Sequence, residues 1–273
     1  MTSTPMRRTS ASPIPGGTMT LPKKLLATCA ALLGVGALAL VTSAPAHAIT
    51  NGTTDGGAHP YVGGLVADQA YSDGTWIYCS GTLVSATVFI TAAHCGEGDR
   101  VRVTFDTAYA DGDATYEGTF HADPLYSGIR NNEHDIAVVV LDEAPGITPA
   151  QLPGAGSLSK LSKDQKFTSV GYGANEVTQG HGKHQFLYDD VRRVSTGTLN
   201  AVNPAWLRIS MNPSTGNGGT CFGDSGGPNF LGNSDVLAAI TNSGDAICRS
   251  TNVDYRLDTA AARAFLSGYV ALP

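Results

Sequence analysis

Three short segments carry side chains suited to nucleophilic chemistry. Thr91-Ala92-Ala93-His94-Cys95 places an imidazole just after the apolar run 88–92. Asp135 opens a second apolar run, Asp135-Ile136-Ala137-Val138-Val139-Val140-Leu141. Gly223-Asp224-Ser225-Gly226-Gly227-Pro228 sets a hydroxyl among glycines. A serine hydroxyl is a weak nucleophile until a base takes its proton. Histidine suits that work near neutral pH, and a carboxylate can fix the imidazole tautomer and stabilise its charged form. The glycines beside Ser225 let the backbone turn sharply and approach a substrate closely. The N–H groups of Gly223 and Ser225 can then converge on one point, where an oxyanion would form. Singly, a His-Cys pair after a strand reads as structural and an Asp before a strand as a turn residue. The conjunction, in the order His94, Asp135, Ser225, points to acyl transfer.

Those residues need a frame. Runs such as 61–67, 81–92, 100–105, 135–141, 167–173 and 236–241 are short, apolar and rich in β-branched residues, and each reads as a strand. Gly, Asp, Asn and Ser break them, as in an all-β barrel or sandwich. One helix is expected near the end, where Ala262, Phe265, Leu266 and Tyr269 follow i, i+3, i+4, i+7 spacing. Asp258 or Thr259 would cap it. The Pro- and Gly-rich stretch 142–160 reads as a connector between two halves.

Residues 1–48 differ from the rest. Lys23-Lys24 precedes an uncharged run from Leu25 to Val41, and small residues follow, ending in Ala46-His47-Ala48. This is the three-part pattern of a cleaved secretory signal, slightly short for a membrane anchor. Met19 is an alternative start, and Arg7-Arg8 lies too far from the apolar run to read as twin-arginine export. Removal of residues 1–48 leaves 13 Lys/Arg against 23 Asp/Glu, a formal net charge of −10. An acidic exported chain of this kind is expected to be secreted and soluble, without nucleic-acid or membrane partners after the cut. Cys29 leaves with the signal, and Cys79, Cys95, Cys221 and Cys248 remain. An even number in an exported chain suggests two disulfides. Spacing allows three pairings, of which the shortest loops join Cys79 to Cys95 and Cys221 to Cys248. Each such bridge would contribute ~3 kcal/mol on the loop-entropy model.

The chain resembles the trypsin/chymotrypsin-type serine endopeptidases of secreted bacterial type. Cys79-Ser80-Gly81-Thr82-Leu83 resembles that family's C-G-G-[ST]-L, Thr91 to Cys95 its T-A-A-H-C, and Asn131 to Leu141 its N-D-I-x-L-x-x-L region. Gly223 to Pro228 matches G-D-S-G-G-P in full. The resemblance implies two six-stranded antiparallel β-barrels, over 49–150 and 151–273, with a C-terminal helix and a His94–Asp135–Ser225 triad in the cleft between them. It agrees with the neighbour pairing of cysteines. It implies protein or peptide substrates and protein protease inhibitors as partners, no cofactor, no metal, and a monomer.

In that family the amino group of residue one pairs with the carboxylate just before the serine. Here those residues are Ile49 and Asp224. Most relatives block the amine with a propeptide, whereas here Ala48 abuts Ile49 directly. Signal cleavage would itself free the working N-terminus, unless a cut after Ala46 leaves His47-Ala48 to be trimmed. Trypsin-like members carry Asp six residues before the serine, and Gly219 stands there. The expected pocket comprises Gly219, Thr220, Thr241, Asn242 and Ser243, with Thr241 placed to bond Asp135 and Asn252 as a further wall. Side chains at Ser243 and Asn252 would narrow it toward small or medium uncharged residues, while Asp245 nearby would attract a basic one. His181 and His184 without a further ligand read as a solvated loop rather than a metal site. His59 and His121 read as surface or turn residues. The acidic loop at Asp111–Asp113 lacks the EF-hand pattern. Two rivals remain: a catalytically silent, protein-binding relative, and an esterase or narrow regulatory protease. The absence of alternating helices and the order of the triad argue against an α/β-hydrolase.

Overall fold

A computed structural model describes residues 49–128, 132–180 and 183–273. The expected signal segment 1–48, Asn131 and His181 lie outside the described residues.

Two β-barrels form in chain order. The first uses β2 (Val62–Val66), β3 (Ile77–Leu83), β4 (Val88–Thr91), β5 (Arg100–Thr104), β6 (Tyr116–Ala122) and β7 (Ala137–Leu141), after a short β1 (Thr53–Thr54). Its strands pair antiparallel in the order β2-β3-β4-β7-β6-β5, and β5 closes on β2. Its interior is filled by side chains such as Leu65, Leu83, Phe89, Val103, Ile136 and Val138, all fully buried. Burial of apolar surface at ~25 cal/mol per Å² is the main force closing such a barrel.

The second barrel uses β8 (Lys166–Gly171), β11 (Arg193–Val202), β12 (Trp206–Ser210), β13 (Pro228–Leu231), β14 (Leu237–Gly244) and β15 (Thr251–Arg256). The order is β11-β12-β15-β14-β13-β8, closed by pairing of β8 with β11. A separate hairpin, β9 (Glu176–Gly180) with β10 (Lys183–Leu187), stands beside it, and His184 lies in β10 rather than in a loop. Helix α1 (Ala260–Leu266) follows, shorter than the periodicity to Tyr269 suggested. Thr259 caps it by accepting the Ala262 N–H at 3.2 Å, because the Asp258 carboxylate is engaged by Arg256.

Each apolar run contributes strand, with one correction. The run 81–92 holds a hairpin, not one strand, because β3 ends at Leu83 and Ser85 caps a turn by accepting the Val88 N–H at 3.0 Å. Residues 142–156 connect the barrels without regular strand, joined to the second barrel by a bridge from Gln151 to Val236.

The barrels are pinned to each other by polar groups from both. Arg192, 1% exposed, donates to Asp55 at 3.0 Å and to the Val62 and Phe105 carbonyls at 2.7 and 2.9 Å. Asp190 accepts the N–H groups of Trp76 and Ile77 at 2.7 and 3.0 Å. His59, expected at the surface, closes on Asp55 and stacks on Phe230 with ring centroids 5.6 Å apart. His121 packs at 5.5 Å from Tyr269. The N-terminal segment belongs with the second barrel, since β1 pairs with β11.

Candidate active site

Strand pairing decides where the imidazole and the carboxylate meet. β4 and β7 are neighbours, with Thr91 opposite Ala137. His94 follows β4 in a 3-10 turn (Ala93–Cys95), and Asp135 stands two residues before the start of β7. Both therefore emerge at one end of adjacent strands. The His94 N–H donates to Asp135 Oδ1 at 3.0 Å, and His94 Nδ1 lies 2.8 Å from Oδ2. Asp135 is 5% exposed, so water does not compete strongly for its oxygens. The Cys79–Cys95 disulfide ties the histidine turn to β3.

Ser225 comes from the second barrel. Its loop turns between Cys221 and β13, with the Asp224 N–H on the Cys221 carbonyl at 3.1 Å and the Gly227 N–H on the Asp224 carbonyl at 2.9 Å. Two glycines are required there. Gly223 has φ +94°, and a Cβ on Gly226, at φ +75°, would lie 2.2 Å from Thr91 Oγ1. The Ser80 N–H donates to the Ser225 carbonyl at 2.9 Å, so β3 of the first barrel holds the serine loop. Ser225, His94 and Asp135 line one cleft of about 500 Å³, without a hydrogen bond between the Ser225 hydroxyl and the His94 ring. Among the described residues the N–H groups of Gly223 and Ser225 have no protein acceptor.

Asp224 is fully buried. Its oxygens accept the N–H groups of Gly173 and Cys221, each at 2.8 Å. Burial pushes its carboxyl up to about 7, against the pull of those two donors and of Arg193. Ile49 is also fully buried, and Thr50 bridges Gly219 and donates its hydroxyl to the Cys248 carbonyl at 2.7 Å. No hydrogen bond joins Ile49 to Asp224 in the full-length chain.

The other predicted pocket residues gather at the cleft. Thr220, Thr241, Asn242 and Ser243 line it, with Cys221, Cys248, Asp245 and Asn252. Gly219 lies behind them against Met211, and the Cys221–Cys248 disulfide closes one wall. Asp245 accepts the Arg249, Ser250 and Thr251 N–H groups, which hold its carboxyl below the usual range although burial works to raise it. Tyr126 faces the cleft from the first barrel, its phenol pushed up by burial and then by Asp135.

One expected contact is replaced. The Thr241 hydroxyl does not reach Asp135. It turns inward to accept from Asn229 at 3.1 Å, and Asn242 donates to Asp135 instead. The register of β14 on β15 shifts between Thr241 and Ser243, and such a bulge re-aims successive side chains. The adjacent buried acid Asp254 went unnoticed in the sequence, where it reads as one more strand residue. The group of metal-ligand types brought together among the described residues is Cys79, His94 and Cys95, and both its sulfurs are spent in the disulfide. No described helix is long and apolar enough to cross a membrane.

Comparison with known proteins follows the same outline. Residues 49–264 match the family model Trypsin. An alkaline trypsin C from Manduca sexta is 26% identical over 82% of this chain and 92% of its own length. A trypsin from Phaedon cochleariae is 30% identical over 55% of this chain and 63% of its own. These relatives are from insects and lend no support to a bacterial subtype. Among solved structures, an HL collagenase superposes with a TM-score of 0.59 at 17% identity, covering 78% of this chain and 94% of its own. A protein called HBP superposes with a TM-score of 0.62 at 16% identity, covering 81% and 96%. Both are similar in fold, that of chymotrypsin.

Proposed function

The chain belongs to the trypsin family of serine proteases, and from that premise we propose that it is a secreted endopeptidase working through an acyl-enzyme on Ser225. The observation that carries this reading is the His94–Asp135 bond, 2.8 Å long, in a cleft shared with Ser225. Asp135 holds the imidazole with its proton on Nδ1, leaving Nε2 to take the proton of the Ser225 hydroxyl as that oxygen attacks a peptide carbonyl. The carbonyl oxygen becomes an oxyanion and is met by the N–H groups of Gly223 and Ser225. His94 then returns the proton to the leaving amine, and water repeats the sequence on the acyl-enzyme.

The proposed substrates are proteins and peptides with a small or medium uncharged side chain before the cut. Support for that preference is a glycine at residue 219, with no floor carboxylate, and the Thr220, Ser243 and Asn252 side chains in the walls. Protein protease inhibitors would enter the same cleft. Signal cleavage before Ile49 would release an ammonium for the buried Asp224, whose removal from water two backbone N–H groups and Arg193 offset only in part.

A serine-directed phosphonylating reagent tests the mechanism. Labelling is expected in the wild-type protein and absent in Ser225→Ala. The lack of a hydrogen bond between the Ser225 hydroxyl and the His94 ring favours the rival reading, a silent relative that only binds proteins, and failure of the wild type to label would install it. Casein digestion against cleavage of small esters separates an endopeptidase from an esterase. N-terminal sequencing of active secreted material tests processing: full activity with residues still ahead of Ile49 would defeat it.

A further inference from the structure

Behind the cleft wall lies a carboxyl that the triad does not use. Asp254 is fully buried on β15, opposite Thr241 of β14. Its Oδ1 accepts the Asn229 amide at 2.8 Å and the Asn252 amide at 2.6 Å, and its Oδ2 has no partner meeting hydrogen-bond geometry. Asn252 in turn accepts the Thr220 hydroxyl at 2.6 Å. Thr220, Thr241 and Asn252 all line the cleft, so Asp254 stands one side chain away from it.

We propose that Asp254, acting through the Asn252 carboxamide, sets the charge of the side-chain pocket. It leaves the pocket neutral while it keeps its proton and serves as counter-ion to a lysine or arginine side chain once it gives the proton up. The inference rests on the protease reading for the identity of the pocket and deepens it by naming what governs the substrate class.

The surroundings of Asp254 are neutral. β13 presents Asn229, which is held by Ser169 of β8 at 2.6 Å; β14 presents Thr241; β15 presents Asn252; and β12 sets Leu207 opposite. Among the described residues no cation and no second titratable side chain bonds it. Burial raises its carboxyl well above the usual range, which is the state a buried acid without a cation adopts. An entering cation would supply the missing partner and draw the proton off. The field of the new charge would reach the pocket across Asn252, whose amide donates to Oδ1, because a fully buried charge is little screened by water. The cleft's own titratable groups are His94, Asp135, Tyr126 and Asp245, and none of them bonds Asp254.

Calorimetry on the processed secreted protein tests this with two probes of one shape, cationic benzamidine and neutral benzamide. Titrations run upward from neutral pH over the whole range in which the protein stays folded. The amino group of Ile49 titrates there too, but loss of its pairing would weaken both probes alike. The ratio of benzamidine to benzamide affinity should rise about ten- to a hundredfold across that range in the wild type and stay flat in Asp254→Asn. Over the pH range in which the ratio rises, benzamidine should release a proton that benzamide does not. A flat wild-type ratio, or an equal rise in Asp254→Asn, overturns the proposal. Should that variant fail to fold by circular dichroism, the proton count in the wild type decides alone, and no release overturns it. Neither readout needs catalysis, so a pocket that behaves as expected in a protein whose Ser225 does not label would keep this inference and sink the protease reading.

Discussion

Asn242 donates to Asp135 Oδ2, the same oxygen that lies 2.8 Å from the His94 ring. One carboxylate oxygen thus holds two partners, one from each barrel. Hydrogen bonds to charged groups contribute about 1.5–3 kcal/mol, so Asn242→Ala should lower kcat about 10- to 100-fold with KM little changed. Steady-state kinetics on one peptide checks this. A fall confined to KM would make Asn242 a substrate contact instead of a positioning residue.

Met211 occupies the space a side chain at residue 219 would need. A Cβ built on Gly219 would sit 2.1 Å from Met211 Cγ and 2.4 Å from its sulfur. Gly219→Asp should therefore not turn the pocket toward arginine. Overpacking of this kind costs about 1–3 kcal/mol, and the variant should melt several degrees lower. Pairing it with Met211→Ala should restore part of the loss, which differential scanning calorimetry can read. A Gly219→Asp protein as stable as the parent would show that Met211 yields freely.

Asp224 makes stability depend on processing. Its folded carboxyl is pushed up to about 7, whereas an unfolded one titrates near ~3.9. A group that holds its proton more tightly when folded favours the fold below the unfolded value and loses that contribution as pH rises through the folded one. The unprocessed chain should thus lose on the order of 4 kcal/mol between pH 4 and pH 8. A chain beginning at Ile49 reverses the sign for Asp224, because the ammonium favours the charged carboxylate. Its own amine is then raised, and that stability fades only as pH climbs through the raised amine value. Urea unfolding of both forms at pH 5 and pH 8 compares them directly, and parallel behaviour would disprove the pairing.

Arg192 is buried against Asp55 and two carbonyls of the first barrel. Arg192→Met removes the only arginine, among the described residues, on the Asp55 carboxylate, which has no exposed side-chain surface. Loss of one partner from a buried pair costs about 3–5 kcal/mol, and His59 stays 2.5 Å from the other oxygen. Expected is a lower melting temperature, read by differential scanning calorimetry, and an unchanged one would show that the pair contributes little.

The candidate triad was legible because the chemistry proposed for it needs particular neighbours: glycines around Ser225, an apolar strand behind His94 and another after Asp135. The strands 100–104 and 137–141 were equally plain, since buried β-branched runs look alike in any β protein. β11 and β15 were harder, because polar residues alternate through them and the buried set includes Arg193, Asn252 and Asp254. The exchange of Thr241 for Asn242 at Asp135 was hidden for another reason. A one-residue bulge reverses which side chain faces the cleft, and nothing in the local composition announces it. Arg192 and Asp55 lie 137 positions apart, a pairing that only the closed fold reveals.

Thr50 is hydrogen-bonded to Gly219, behind the cleft wall, and to the carbonyl of Cys248 in that wall. The second residue of the expected mature chain is thus a stitch in the seam of the selectivity pocket. On the proposed reading, whatever tethers or frees residue 49 would also tension the wall against which a substrate is chosen, so export and discrimination would share one thread of backbone.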